Sequence, residues 1–292
     1  MNSIHPLFLK TVFVVLFFIS TAFHETQATT DDDDFWLLLD YEPLQNALWL
    51  FGGVDDTDGN YYGVTADLAI VDVLHFNFSA TEQNYFVQTS DLRWGFSGPI
   101  SQYFSWAILK TFWGKRDLLE KNDTRFTLSF FYDGFNTWFS YETGDVELFL
   151  RDSPRIRIDS VSSDHRAYEA GLGYSWQVFY TQLSFKQHDY ERDLSQLTRR
   201  PRLFLVVNPV GIQQASALAE SEANVLLGIQ VQDMSYEVFI SRIKSAVTLE
   251  SNTYATLHLA KTLSRQLTLG FDAELPVNDV PFSLGFSVGM MW

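Results

Sequence analysis

The sequence predicts an all-β chain that folds as a transmembrane antiparallel up-and-down β-barrel of about 12–16 strands. Three observations predict it: an alternating last strand, the same alternation along most of the chain, and an export leader with no cysteine behind it. From Phe282 to Trp292 the large apolar residues Phe282, Leu284, Phe286, Val288, Met290 and Trp292 fall on one face of a strand. Ser283, Gly285, Ser287, Gly289 and Met291 fall on the other. Side chains alternate across a strand with period two, so one face suits lipid and the thin face suits a lumen.

The same pattern recurs upstream. Val64, Ala66, Leu68 and Ile70 alternate with Gly63, Thr65, Asp67 and Ala69, and Leu74, Phe76 and Phe78 with His75, Asn77 and Ser79. Leu92, Trp94 and Phe96 alternate with Arg93, Gly95 and Ser97; Phe126, Leu128, Phe130 and Tyr132 alternate with Thr127, Ser129, Phe131 and Asp133. Tyr168 to Ser175, Val225 to Val231 and Leu267 to Glu274 behave alike. A soluble sandwich also alternates, but it rarely keeps charges on one face and large apolar groups on the other throughout a chain. The composition agrees: 46% hydrophobic and 16% aromatic residues give a mean hydropathy of only −0.05.

The leader is Met1 to Ala28. Lys10 precedes an apolar core from Thr11 to Phe23, and Thr26-Gln27-Ala28 ends it with small residues where a signal peptidase reads. The core is shorter than the roughly 20 residues that span a bilayer; a membrane anchor is the other reading. Residues 1–28 are thus expected to be a cleaved signal, 29–44 an acidic segment that opens with Asp31 to Asp34, and 45–292 the barrel. With no cysteine in the chain, disulfides, thiol chemistry and thiolate zinc sites are excluded. A formal charge of −16 argues against binding nucleic acid through charge.

Turn signals divide the chain. Gly98-Pro99, Asp133-Gly134, Thr143-Gly144, Ser153-Pro154 and Gln232-Asp233 suit tight connections. Longer polar stretches suit external loops: Val54 to Asn60, Gly114 to Asp123, Asp189 to Pro201, Glu250 to Asn252 and Glu274 to Pro281. About 16 candidate strands result, and closure with an even number is expected. Glu191 to Glu222 is the hardest part, with a strand-like Leu203 to Val207 and a helix-like Gln213 to Glu222.

Face assignment gives the expected lumen charges. The acids are Asp67, Asp133, Glu147, Asp159, Glu169, Glu237 and Asp272; the bases are Arg93, Arg125, Arg151, Arg157 and Lys186; His75, His188 and His258 join them. Mixed signs allow two outcomes, a wet and weakly selective pore or a lumen plugged by mutual pairing. Glu147, Arg151, Arg157 and Asp159 are the candidate network. Tyr62, Trp94, Trp106, Tyr132, Tyr174 and Trp176 suit interfacial girdles, whereas Phe131, Tyr180 and Tyr254 are candidate lumen rings. Neither catalytic residues nor a cofactor or metal site is assigned. His188-Asp189 with Asp55-Asp56 has a distant likeness to the omptin proteases, without matching flanks. No serine has a clear histidine partner, as a membrane-embedded phospholipase would need. Asp56 to Asn60 lacks the spacing of a calcium loop.

The leader, the lack of cysteine and the closing strand ending at Trp292 together resemble bacterial outer-membrane β-barrel proteins as a class. The resemblance covers the whole mature chain at the level of architecture. It implies insertion in a Gram-negative outer membrane, contact with its lipid and lipopolysaccharide, and recognition of Phe282 to Trp292 by the barrel assembly machinery. It implies no activity. A porin-like channel for small hydrophilic solutes, a closed structural or assembly barrel, and a membrane-embedded hydrolase follow as expectations in that order.

Overall fold

A computed structural model of the chain describes residues 46–55, 59–71, 73–84, 88–115, 118–149, 160–196, 217–276 and 282–292. They hold β1 (Ala47–Asp55), β2 (Asn60–Val71), β3 (Leu74–Asn84), β4 (Gln88–Ser101), β5 (Phe104–Lys115), β6 (Leu119–Tyr132) and β7 (Phe135–Phe149). The second half holds β8 (Ser160–Trp176), β9 (Phe179–Tyr190), β10 (Ala219–Val231), β11 (Met234–Ser245), β12 (Ser251–Ser264), β13 (Leu267–Pro276) and β14 (Ser283–Met291). Each strand pairs with its sequence neighbours, and β1 pairs antiparallel with β14, so 14 strands form a closed up-and-down barrel. Closure satisfies every strand edge, which is what lets a sheet stand in lipid. The seam is completed by two backbone hydrogen bonds, Asn46 N to Trp292 O (3.0 Å) and Trp292 N to Asn46 O (3.1 Å).

The two ends differ. The β2–β3, β4–β5, β6–β7, β8–β9, β10–β11 and β12–β13 connections are each two residues long, and both ends of the described barrel lie beside them. Asp133 and Gly134 both have positive φ (47° and 75°), as a type I′ hairpin requires. The connections at the other end are longer, up to residues 191–218 between β9 and β10.

Alternation sets what faces where. From Ser162 to Tyr174 in β8, every even-numbered residue is exposed and every odd-numbered one buried. On the outer face Leu50, Trp94, Ile108, Phe126, Leu128, Phe139, Leu172, Phe185, Leu227, Leu269 and Phe286 are all exposed. Near the short-turn end Tyr103 and Tyr132 (centroids 6.0 Å apart), Phe135 and Tyr174 (4.5 Å), and Trp176 form an aromatic girdle. Trp94 belongs to the middle of β4 instead.

Several expected turns are not turns. Thr143-Gly144 lies inside β7, Gly98-Pro99 inside β4, and most of Gly114 to Asp123 is strand on either side of a short connection. Ala219 to Glu222 begins β10 rather than ending a helix. Ser153-Pro154 and Leu203 to Val207 lie outside the described residues.

Candidate functional site

The lumen wall is uneven, and its most built region spans β6 to β10 near the long-loop end. Period two turns Lys121, Asp123 and Arg125 of β6 inward, with Ser140 and Glu142 of β7, His165 and Glu169 of β8, Lys186, His188 and Tyr190 of β9, and Glu222 of β10. Asp123, Gly144, His165 and Tyr190 share one register row, and Arg125, Glu142, Ala167 and His188 the next. The small members of these rows open the space. A Cβ on Gly144 would lie 2.5 Å from an Asp123 carboxylate oxygen, so only glycine lets His165 reach two strands across to Asp123. Ala167, 1% exposed, does the same between Glu142 and His188.

Four side chains form a line. His165 Nδ1 is 2.8 Å from Asp123 Oδ1, His165 Nε2 is 2.9 Å from His188 Nδ1, and His188 Nε2 is 2.7 Å from Glu222 Oε1. Lys121 Nζ donates to Asp123 (2.6 Å) and Glu142 (3.1 Å), and Lys186 Nζ donates to the other Glu142 oxygen (2.8 Å). Tyr190 covers the two imidazoles, its ring centroid 4.8 Å from that of His165, and donates its hydroxyl to Ala219 O (3.0 Å). Next to the cluster Arg125 pairs with Glu169, which also accepts from Trp138 Nε1 at 3.2 Å.

Proton counting constrains this line. Three hydrogen bonds in series need three protons, and two neutral imidazoles supply two. Without a third, two lone pairs or two acceptors would face each other in a buried place. Asp123, Glu142 and Glu222 are three carboxylates against the ammoniums of Lys121 and Lys186.

Glu142, His165 and His188 also have the composition of a metal site, with ligand atoms within 4.8 Å of one another. The geometry fits a proton better. Ring nitrogens of two histidines on one tetrahedral zinc stand about 3.3 Å apart, given Zn–N bonds of about 2.0–2.1 Å, and here they are 2.9 Å apart. Two ammoniums already occupy Glu142 and would repel a cation. The expected result is a 15N–15N coupling across the hydrogen bond between His165 Nε2 and His188 Nδ1, read by NMR of the imidazole-labelled barrel. Absence of that coupling with stoichiometric bound metal would reverse the assignment.

Above this cluster Leu119, Val146, Leu148, Leu194, Leu218, Ala246 and Val247 form an apolar cluster, with Trp113 and Tyr190 packed against it. The opposite wall is different. From β11 through β14 and β1 to β4 the lining mixes Ser, Thr, Asn and Gly with the rings of Trp49, Phe51, Tyr61, Phe239 and Tyr254, and it carries exposed charges: the Arg93 side chain is 56% exposed and that of Asp67 44%.

The expected lumen residues divide accordingly. Asp67, His75, Arg93, Arg125, Glu169, Lys186, His188, Glu237, His258 and Asp272 do face inward, as do Phe131, Tyr180 and Tyr254. Two expectations need correction. Asp133 is the first residue of a hairpin turn. Glu147 points outward, because its neighbours Val146 and Leu148 are the buried ones; it accepts a hydrogen bond from Ser160. Arg151, Arg157 and Asp159, its expected partners, lie outside the described residues. Sequence reasoning missed Lys121, Asp123, Glu142, His165 and Glu222. Gly144 was the available signal, and it resembles a turn.

The same alternation removes the omptin likeness. His188 points into the lumen and Asp189 to the outer face, so the two cannot act together. All four described histidines, His75, His165, His188 and His258, face inward, which leaves no lipid-facing serine–histidine pair among the described residues.

Closure, short turns at one end, long connections at the other and a continuous exposed apolar face are now all in place. The chain has the architecture of an outer-membrane β-barrel. No family model matches this barrel and no curated protein matches it. Solved structures similar to it include a NanC porin (7% identity, 83% of this chain and 98% of that one, TM-score 0.46). Another is a porin refined at 1.8 Å (10% identity, 85% and 99% covered, TM-score 0.45). A third is the loop L8 deletion mutant of OmpT, an outer membrane protein of Vibrio cholerae (9% identity, 85% and 98%, TM-score 0.44). The strand number and closure of the barrel rest on its own pairing.

Proposed function

We propose that the barrel is a channel for small hydrophilic solutes in the outer membrane of a Gram-negative bacterium, reached through the leader at residues 1–28. Its partners on this reading are the lipid and lipopolysaccharide around Phe286 and its neighbours, and the assembly machinery acting on Phe282 to Trp292. The observation that carries the channel reading is the set of exposed charged side chains on the inner face from β11 to β4, Arg93, Asp67 and Asp272, set against the packed wall of β6 to β10.

A second observation supports a kept bore. Lumen aromatics lie flat on glycines of the next strand: a Cβ on Gly171 would meet the Trp138 ring at 2.1 Å, and one on Gly228 the Tyr180 ring at 2.1 Å. Rings laid against the wall occupy little of the lumen. Gly228→Val is expected to lift Tyr180 inward and lower the unit conductance with the barrel still folded; an unchanged conductance would count against this account of the bore.

A closed structural barrel is the second reading, favoured by the apolar cluster near the long-loop end. Single-channel recording of the refolded barrel in a planar bilayer separates the two. Steady unitary steps support the channel; a folded barrel with no conductance refutes it and leaves the closed body.

A further inference from the structure

We infer that the lumen favours cations over anions, and that Glu237, Asp272, Glu274 and Asp67 set this preference; the inference rests on the channel reading above. Counting charged residues does not show it, because the inward charges have both signs. The pairing does.

Inward bases are already neutralised. Arg93 is bound by Asp91, Lys121 by Asp123 and Glu142, Arg125 by Glu169, and Lys186 by Glu142. Lys115, the remaining inward base among the described strands, ends β5 beside Leu119 at the long-loop rim. All five stand on β4, β5, β6 and β9.

Four inward acids of β2, β11 and β13 meet no Lys or Arg. Glu237 of β11 accepts the Tyr180 hydroxyl, and Glu274 of β13 accepts from Ser283 Oγ at 3.2 Å. Asp272 of β13 meets His258 Nδ1 at 2.5 Å, and Asp67 of β2 meets His75 Nδ1 at 2.8 Å. Hydroxyls carry no charge, and a neutral imidazole leaves its carboxylate negative. The Asp67 and Asp272 side chains are 44% and 31% exposed to the lumen, so an ion passing there feels them directly. Glu237, His258 and Asp272 lie in one register row, which puts two of the acids at one level of the wet wall.

Fixed carboxylates lining a pore attract cations and repel anions, and a low-dielectric wall focuses that field. A unit charge about 8 Å from the ion path shifts the cation-to-anion ratio by about fivefold in unscreened water, less in salt. Acids met by no Lys or Arg, on a wall without free bases, therefore give a clear preference rather than a weak one.

The test is the reversal potential across a planar bilayer under a KCl gradient at about pH 9, well above the ordinary imidazole range. The expected result is a K+/Cl− permeability ratio of about 5 or more, falling toward about 1 in Asp67→Asn/Glu237→Gln/Asp272→Asn/Glu274→Gln. Ser79→Lys, a base added to the same wall, is a second variant and is expected to lower the ratio without touching the acids. Conductance with no preference, or with a preference for chloride, overturns the inference and leaves the channel standing. A cation preference that neither variant changes overturns the assignment to these residues. No conductance at all removes the channel reading and this inference with it.

Discussion

Glu142→Ala is expected to cost the barrel about 3–5 kcal/mol, the usual result of removing one partner from a buried ion pair. Lys186 would keep a buried ammonium with no carboxylate in contact, and Lys121 would keep only Asp123. Arg125 and Glu169 next to the gap would remain paired. Urea unfolding in detergent, followed by the loss of heat-modifiable migration, reads the change. Lys186→Met in the same background should recover part of it, since an apolar side chain of similar length leaves no charge behind. A loss below about 1 kcal/mol, the range of exposed pairs, would mean that the cluster is solvated and not a packed wall.

Leu128→Arg is expected to cost about 2–4 kcal/mol in a lipid bilayer, the cost of a cation near the bilayer midplane on the lipid face of a barrel. Leu128 is exposed on the outer face, in register with Trp106 and Phe139. Ser79→Arg, on the wet lumen wall, should cost less than about 1 kcal/mol. Folding equilibria of both variants in vesicles check the pair. Equal costs at the two positions would show that the outer face does not meet lipid, and the membrane reading would fail with that result.

Alternation made the fold legible. Wherever one face carried large apolar groups and the other small or polar ones, as in Phe126 to Tyr132 and Tyr168 to Ser175, the strand and its facing could be read directly. Two-residue turns were legible where their chemistry is special, as at Asp133-Gly134. Connections without such residues, Gln102-Tyr103 and Gln177-Val178, carried no signal. Glycine was the main source of error. Gly144 sits in mid-strand for lack of a side chain, to admit the Asp123 carboxylate, and that need looks the same in a sequence as a need for a turn. Missing it split β7 and hid the site, because Glu142 and His165 are related only through register across that strand. Glu147 was misassigned for the same reason: a break at Gly144 loses the parity that places it outside.

The line from Asp123 through His165 and His188 to Glu222 crosses five neighbouring strands with Gly144 as its gap. A slip of one residue in any of those strands would turn its polar members into lipid and put an apolar side chain in the gap. The arrangement therefore acts as a key for alignment: β6 to β10 can be assembled in one phase only, held by polar contacts, while the seam is aligned by rings on glycine, Trp49 on Gly289 and Tyr61 on Gly53 and Gly285.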